Sequence, residues 1–575
     1  MPRAKGYFVS ILIKATCINN KHNGSATKIK NITKVISSHC KTLNHLHQLH
    51  AHCLVSDHND DIFLNAFLHA LLSLLTSQSL PCHHISSLNL SRTHVKSTSS
   101  LTYALSLFNL IKHPTTFSFN NIIRAHTLLL SLSSSLSPLV LFDRMRRLDL
   151  RPDSHTFPFV LAACALLGPT FALPFSQALH CQALKFGFNG DSFVLNSLIR
   201  VYSLSGFLTY ARQMFDESPS NRDIVSHNIL IDGHVKSGEI SIARQLFDEM
   251  PDRDSVSWGT IIVGYSQSNH CDEAISLFYR MLELGFTPDS VALVSALSAC
   301  AKLGDLDRGR EIHEYVKQNG IRLNPFLTTG LVDFYAKCGC IDIAKEIFDT
   351  RASSEKISLC TWNAMIVGFA MHGLGDLSLS YFRRMINEGT KPDGVTFLGV
   401  LVGCSHAGLV EQARELFDDM ERIYIVPREL KHYGCMADLL GRAGRIQEAI
   451  DMIRAMPMGG DVFVWGGLLA GCRLHAGNVE AAEEAAERVM ELRPEDGGVY
   501  SIMAGVYANA EQWDDVVRIR RWRDSRRVVK KNAGCSLIRL EGVTHEFVAG
   551  DDLHDQSDEI YSLLNGLEKH QHETY

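Results

Sequence analysis

Histidines and a cysteine near the N-terminus form the group of side chains with the clearest potential for metal chemistry. They are His45, His47, His50, His52 and Cys53. His50 occupies the same place in LHQLHAHCL that His180 and His313 occupy in SQALHCQAL and GREIHEYVK, so it belongs to a repeated helix. A zinc site needs a closed set of four ligands, and this cluster does not define one. We therefore expect no metal and no cofactor.

A glycine followed five residues later by a small residue recurs along more than half of the chain. Gly238 with Ala243 is one copy, and the others are Gly206/Ala211, Asn269/Ala274, Gly304/Gly309, Gly339/Ala344, Gly375/Ser380, Gly408/Ala413, Gly444/Ala449 and Gly477/Ala482. Successive copies lie between 31 residues (Gly238 to Asn269) and 36 residues (Gly339 to Gly375) apart. A period of this length is typical of a helical repeat array.

Each copy predicts a pair of helices. Residues 224–254 read IVSHNILIDGHVKSGEISIARQLFDEMPDRD, with one apolar stripe at helical spacing on each helix. The stripes are Val225, Ile229, Leu230 and Val235, then Ile240, Ala243, Leu246, Phe247 and Met250. Gly238 is placed to end the first helix in a left-handed conformation. Because one helix pair cannot bury both stripes, it must stack on its neighbours, which predicts an all-α solenoid of helix–turn–helix units.

The two ends of the units carry a family signature. Units begin with V-x-W-N or V-x-H-N and many end in P-D or R-D, as in TFSFNNII…LRPD, IVSHNILI…PDRD, SVSWGTII…FTPD and LCTWNAMI…TKPD. With these residues the sequence resembles the pentatricopeptide repeat family of land-plant organelles, in its mixed P, L and S subclass. The resemblance implies a right-handed superhelical array over 31–461, with a Ser/His-rich insertion near 78–98. The complete units are 61–115, 116–153, 154–191, 192–223, 224–254, 255–289, 290–324, 325–358, 359–393, 394–429 and 430–461.

Beyond the repeats, the resemblance implies two further segments. Residues 462–531 are similar to the E-type extension, built from two helical units, and 532–575 are similar to the short E+ segment that follows it. A DYW-type deaminase domain would need H-x-E and a downstream C-x-x-C to hold and use zinc. Neither motif occurs after the repeats. We therefore expect a protein that is not itself an enzyme.

The N-terminal residues are basic. From Met1 to Val55 there are eight Lys or Arg and no acidic residue, the first being Asp57. This pattern is typical of an organellar transit segment, which we place at 1–30; a plain basic tail is the alternative. We expect the mitochondrion, with the plastid as the alternative. No apolar run approaches the ~18–20 residues needed to cross a bilayer, so no membrane partner is expected.

In this family the resemblance implies that each repeat reads one base through its fifth and last residues. Four pairs then favour U: Asn120/Asp153, Asn196/Asp223, Asn228/Asp254 and Asn363/Asp393. Thr329/Ser358 favours a purine, whereas Gly259/Asp289, Gly434/Asp461 and the L-type pairs Pro158/Asp191, Val294/Asn324 and Leu398/Glu429 are weak or silent. Second-position side chains would pack on the bases: Phe117, Phe193, Val225, Val256 and Phe326. Helix capping is the alternative role of each Asn and Asp.

These features predict an adaptor for single-stranded organellar RNA that selects cytidines for C-to-U editing and recruits a DYW-type deaminase in trans through 462–575. The alternatives are an RNA binder in transcript stability, splicing or translation, and a protein-binding scaffold. The net charge of −6 counts mildly against a protein held to nucleic acid by bulk electrostatics, so RNA binding must rest on local, base-directed contacts. A basic run between Arg518 and Lys531 could contact phosphate, or form a solvated helix face. The sequence assigns no oligomeric state.

Overall fold

The computed structural model describes most of the repeat array. The described residues are 34, 36, 49, 61–77, 91–129, 137–352, 356–475, 477–493, 497–525, 535–540, 543–548, 554 and 556–573. Four features predicted from the sequence lie outside the described residues. They are the transit segment, the histidines and cysteine of the His45–Cys53 cluster, residues 78–90 of the insertion and the end of the basic run. Residues 91–98 of the insertion belong to a helix.

The chain divides into two compact units, Met1–Cys340 and Ile341–Tyr575. The first contains α1 (Asp61–Ser77), α2 (Ser91–Leu110), α3 (Thr116–Leu129), α4 (Ser137–Arg147), α5 (Thr156–Ala165), α6 (Pro169–Lys185), α7 (Ser192–Leu204), α8 (Leu208–Asp216), α9 (Ile224–Lys236), α10 (Ile240–Glu249), α11 (Ser255–Gln267), α12 (Cys271–Glu283), α13 (Ser290–Leu303), α14 (Leu306–Gln318) and α15 (Pro325–Lys337). Within this unit, first helices pack on their second helices and on the first helices of neighbouring pairs, as α9 does on α10, α7 and α11.

The second unit continues the same arrangement. It contains α16 (Ile341–Ala352), α17 (Leu359–Met371), α18 (Gly375–Asn387), α19 (Gly394–Ala407), α20 (Val410–Arg422), α21 (Leu430–Arg442), α22 (Ile446–Arg454), α23 (Val462–Leu474), α24 (Val479–Leu492), α25 (Gly497–Asn509), α26 (Trp513–Ser525), β1 (Cys535–Leu540), β2 (Val543–Val548) and α27 (Ser557–Glu573). The predicted all-α solenoid of stacked helical pairs is confirmed.

Two details of the predicted repeat are wrong. Val225 is 53% exposed, so it lies outside the apolar stripe of α9, whose buried face includes Leu230 and Ile231. In the unit 359–393 the glycine and small residue are Gly373 and Ser378: Gly373 has φ 70° and Ser378 is fully buried, whereas Gly375 lies inside α18. Glycine is needed at position 375 for another reason, because a Cβ there would collide with the backbone of Gly403.

The helix caps confirm the rest of the repeat pattern. The remaining predicted glycine anchors have positive φ, and Asn269 adopts the same conformation with φ 61°. The small residue five positions later is buried in each of these copies. Gly309 illustrates why: a Cβ at this position would collide with the ring of Phe334 on α15. A small residue therefore permits the close approach of two helices that stacking requires.

Arginines just before the last residue of three units hold the segment between consecutive helix pairs against the second helix of the preceding pair. Arg253 lies over the Phe247 ring at 5.0 Å, and its Nε donates to the Phe247 carbonyl at 3.0 Å. Arg222 and Arg428 hold Phe215 and Phe417 in the same way, at 4.6 and 4.2 Å from the ring centroids. Each guanidinium satisfies a carbonyl near the end of the preceding helix. This explains the R-D ending: the arginine is scaffold.

The C-terminal part adds strands to a helical chain. β1 pairs with β2 in antiparallel register, with Ser536 opposite Phe547 and Leu540 opposite Val543. This hairpin was not predicted from the sequence. Among the described residues, no helix is both long and apolar enough to span a bilayer.

Candidate nucleic-acid interface

The four predicted Asn–Asp pairs are each joined by a hydrogen bond between the fifth and the last residue of the repeat. Asn120 Nδ2 donates to Asp153 Oδ1 at 2.8 Å, and Asn363 Nδ2 donates to Asp393 Oδ1 at 3.0 Å. The other two amides, those of Asn196 and Asn228, lie 3.1 and 3.3 Å from the carboxylates of Asp223 and Asp254 respectively. Residues 26 to 33 positions apart in sequence are thus brought into contact.

Each of these aspartates also caps a helix. The Asp254 side chain accepts from the Ser257 amide at 2.8 Å while accepting from Asn228. Asp223 and Asp393 cap α9 and α19 in the same way. Capping and amide pairing are therefore simultaneous, because one carboxylate has lone pairs for both.

The electrostatics of Asp254 favour a fixed negative charge. Burial opposes ionisation of the carboxyl, but hydrogen bonds from the Ser257 amide and hydroxyl, from Asn228 and from Val256 outweigh it, and the pKa of Asp254 is lowered. An ionised carboxylate accepts only, so the asparagine must turn its NH₂ group toward it. The ionised carboxylate therefore determines which end of the asparagine amide faces it.

The amide group is close to the surface without being freely exposed. Asn120, Asn228 and Asn363 are 7%, 9% and 8% exposed, and Asn196 is half-buried. One Nδ2 proton is used by the aspartate, which leaves the second proton and the carbonyl oxygen. A donor beside an acceptor is the pattern that a pyrimidine edge complements.

The predicted second-position side chains are apolar and exposed, and three of them lie in units with a paired asparagine. All five predicted residues are exposed: Phe117 44%, Phe193 68%, Val225 53%, Val256 54% and Phe326 39%. Residues three apart share a helix face, so Phe193 lies on the side of Asn196. The structure adds Val395 and Phe463, which hold the second position of later units and are 40% and 69% exposed. Exposed aromatic faces are suited to stacking with nucleobases.

Comparison with known proteins decides the family. A pentatricopeptide repeat-containing protein of Arabidopsis thaliana is 53% identical over 504 residues, which cover 87% of this chain and 97% of the relative. The chain belongs to the pentatricopeptide repeat family. Another Arabidopsis member, named chloroplastic/mitochondrial, is 34% identical over 542 residues, covering 92% of this chain and 75% of that protein.

Family models match the pentatricopeptide repeats within a few residues of the predicted units. The PPR repeat model matches 193–222, 225–255, 256–286, 360–390, 395–425 and 431–460, and the E motif model matches 476–539. These matched segments are repeats and an E motif, not a catalytic domain. The predicted limits of the extension, 462–531 and 532–575, stay a prediction.

Comparison with solved structures also finds pentatricopeptide repeat proteins. PPR10 from maize has 16% identity and a TM-score of 0.32, covering 92% of this chain and 99% of that one. PPR10 in complex with an 18-nt psaJ RNA element has 16% identity and a TM-score of 0.37, covering 91% and 99% of the two chains.

One pentatricopeptide repeat residue of the same kind was missed from the sequence. Asn65 is the fifth residue of the unit 61–115 and is 4% exposed. Its Oδ1 accepts from Ser118, the third residue of the next unit, and its Nδ2 donates to the Asp61 carbonyl at 2.7 Å. The insertion obscured the length of this unit, but an asparagine five residues into a predicted helix was the available signal.

The repeat pairs predicted to be weak lack this contact. Gly259 has no side chain to meet Asp289, although a Cβ there would lie 3.5 Å from Asp289 Oδ1. Asn324 is instead held by Ser290 at 2.8 Å. The residues of the pair predicted to favour a purine have other partners: Thr329 donates to the Pro325 carbonyl of its own helix at 2.8 Å, and Ser358 caps α17. The purine assignment of Thr329/Ser358 stays a prediction.

The repeated histidines have tyrosine partners 22 residues later. His313 Nδ1 lies 2.8 Å from the Tyr335 hydroxyl, and His180 Nδ1 lies 3.4 Å from that of Tyr202. Burial lowers the pKa of His313 to about 4, so the ring is neutral at physiological pH. In the part of the chain that the structure describes, no three His, Cys, Asp or Glu are placed to hold a metal ion.

Proposed function

We propose that this chain is a sequence-specific adaptor for single-stranded RNA. The observation that carries the proposal is the set of four Asn–Asp pairs in the same position of their repeats, three of them in units with an exposed apolar second-position residue. Helical-repeat RNA readers use two or three side chains per base. A purely structural array would not need a polar pair to recur beside exposed apolar side chains.

The proposed readout follows from the chemistry of each pair. The asparagine amide faces the Watson–Crick edge of a pyrimidine, and the aspartate fixes its orientation. With the N-terminal unit at the 5′ end, the preferred RNA from unit 116–153 onward is 5′-U-n-U-U-n-n-A-U-n-n. The net charge of −6 supports recognition by base-directed contacts, since bulk attraction to phosphate is weak for an acidic protein.

We further propose that the adaptor serves C-to-U editing in an organelle. The E motif over 476–539 supports this assignment, and it would recruit a DYW-type deaminase acting in trans. The compartment proposed is the mitochondrion, with the plastid as the alternative; a relative named chloroplastic/mitochondrial supports an organelle. Part of the basic run lies on α26, where Arg518 pairs with Asp515 at 2.7 Å.

A loss-of-function comparison tests the editing role. Organellar transcripts sequenced with and without this gene are expected to differ by complete or nearly complete loss of conversion at one or a few cytidines. Each lost site should lie a few nucleotides downstream of the predicted string. Unchanged editing everywhere, together with altered transcript levels or splicing, would assign the RNA binder to those processes instead.

A further inference from the structure

The four paired asparagines differ in what contacts their carbonyl oxygen. Asn120 Oδ1 accepts from the Thr156 hydroxyl at 2.8 Å, and Asn363 Oδ1 accepts from the Thr396 hydroxyl at 2.6 Å. Asn228 Oδ1 is buried without a hydrogen-bond partner, and the same is true of Asn196 Oδ1. The amide is thus held at both ends in two repeats and at one end in the other two.

The difference follows the third residue of the next unit. It is threonine after Asp153 and Asp393, and serine after Asp223 and Asp254. The Ser226 hydroxyl donates to the Asp223 carbonyl at 2.8 Å, and the Ser257 hydroxyl donates to Asp254 Oδ1 at 2.8 Å. After these two aspartates, serine therefore directs its proton to the cap, whereas Ser118, which follows Thr115, donates to Asn65 Oδ1.

The threonine hydroxyl lies between two acceptors. Thr156 Oγ1 is 2.9 Å from Asp153 Oδ1 and 2.8 Å from Asn120 Oδ1. Because Cβ branching restricts χ1, the hydroxyl is held in this position. The amide–carboxylate distances are also shorter after threonine, at 2.8 and 3.0 Å, than after serine, at 3.1 and 3.3 Å.

A buried acceptor without a partner is unfavourable, and a ligand that supplies a donor removes the penalty. Asn228 Oδ1 has no hydrogen bond within the protein to give up when it meets such a donor. The N3–H of uracil is such a donor, beside a carbonyl that can accept from the remaining Nδ2 proton. The oxygens of Asn120 and Asn363 already have a donor in the free protein.

We propose that, after a unit that ends in aspartate, the hydroxyl residue at the third position of the next unit is a further specificity determinant: serine leaves the asparagine oxygen for a donor on the bound base, and threonine occupies it. This rests on the proposed function, in which the asparagines read bases. The units of Asn196 and Asn228 depend strongly on the N3–H of their uracil. The units of Asn120 and Asn363 depend on it less.

Modified RNA tests this directly. In the predicted string, uridine is replaced by 3-methyluridine, which has no N3–H, at the fourth nucleotide (Asn228) or the first (Asn120). The full chain is expected to lose about 2- to 10-fold more affinity from the fourth substitution than from the first. Equal losses would overturn the inference, because the added methyl group is the same in both.

Ser257→Thr is the matching protein variant, and Ser255→Thr in the same helix adds the same methyl group as a control. Ser257→Thr is expected to raise the melting temperature of the free protein and to lower the preference for U over A at the fourth nucleotide about 2- to 10-fold. Thr156→Ser is expected to raise the preference for U at the first nucleotide.

The outcomes separate the two proposals. If the unmodified protein does not prefer the predicted string, the proposed function fails. If it does, and Ser257→Thr leaves the preference at the fourth nucleotide unchanged or increases it, the third-position inference fails. A variant that is only poorly folded loses affinity for U and A alike, which also contradicts the inference.

Discussion

At the scale of single residues, one carboxylate does two things. Asp254 ends its own unit and caps α11 of the next one, and it orients the amide of Asn228, the fifth residue of its own unit. The end of one unit, the start of the next and the base-reading group are therefore fixed together. A helical repeat can vary its fifth residue while retaining this geometry, because the cap does not depend on the asparagine.

Asn228→Thr tests the assignment of the fifth position. The substitution replaces a donor–acceptor amide by a hydroxyl, and we expect the preference at the fourth nucleotide to move from pyrimidine to purine by about 10-fold. Binding to RNAs that differ only at this nucleotide measures the change. An unchanged preference for U would show that this repeat is read in another way.

Gly259→Asn tests whether the pair can be created. A Cβ at Gly259 lies 3.5 Å from Asp289 Oδ1, within ordinary contact, so an amide can reach the carboxylate. We expect a new preference for U at the fifth nucleotide of about 2- to 10-fold. Gly259→Ala adds the Cβ without the amide and is the matched control. A gain in both variants would contradict a role for the amide.

At the scale of the helix pair, scaffold and reading residues are separate. Arg253 and its equivalents Arg222 and Arg428 satisfy helix-end carbonyls and cover phenylalanine rings. His313 and Tyr335 form a buried contact between two helices. None of these residues is one of the Asn–Asp pairs, so we expect changes to them to act on stability.

Arg253→Ala is expected to lower the free energy of unfolding by about 1–2 kcal/mol through loss of the carbonyl bond and the ring contact. The preference at the fourth nucleotide should be unchanged. Arg280 is more exposed and pairs with Glu283, so Arg280→Ala is the control, with little effect expected. Urea unfolding and RNA binding of both variants measure this. A changed base preference in Arg253→Ala would assign the arginine to the reading site.

The pH dependence of stability follows from His313. Its pKa is about 4 in the folded protein against 6.5 for the ordinary side chain, so the unfolded chain binds the proton first as pH falls. Stability from the neutral ring is complete above about pH 6.5 and is lost progressively toward pH 4. His313→Gln, which cannot titrate, is expected to show a smaller loss between pH 7.5 and 4.5 in urea unfolding. An equal loss in the two proteins would show that His313 is not responsible.

The sequence was sufficient to predict the residues whose role depends on their spacing within one unit. The positions of Gly238 and Asp254 follow from helix ends, and Asn228 follows from its distance to them. It was insufficient where the exposure or the hydrogen bonds of a residue depend on another segment of the chain. Val225 looked like core because its own helix is amphipathic, whereas its exposure depends on which helices stack beside α9. The free oxygen of Asn228 depends on a hydroxyl in the next repeat, so no pattern within one unit reveals it.

At the scale of the whole molecule, the proposed function makes RNA recognition a sum over repeats. In it, the four Asn–Asp pairs supply the strong base preferences, and the remaining units set the spacing between them. Since the net charge is −6, we expect affinity to come from these base contacts and from stacking on the exposed second-position residues, more than from phosphate attraction.

The central claim is tested most directly by a binding measurement on the purified full chain at one fixed salt concentration. One RNA carries 5′-U-n-U-U-n-n-A-U-n-n, and a second replaces by A the four U residues assigned to the Asn–Asp pairs. The account predicts binding at least about 30-fold tighter to the first, which is roughly one hydrogen bond per pair at the lower end of its net contribution of about 0.5 kcal/mol. Equal affinity for the two RNAs would contradict it.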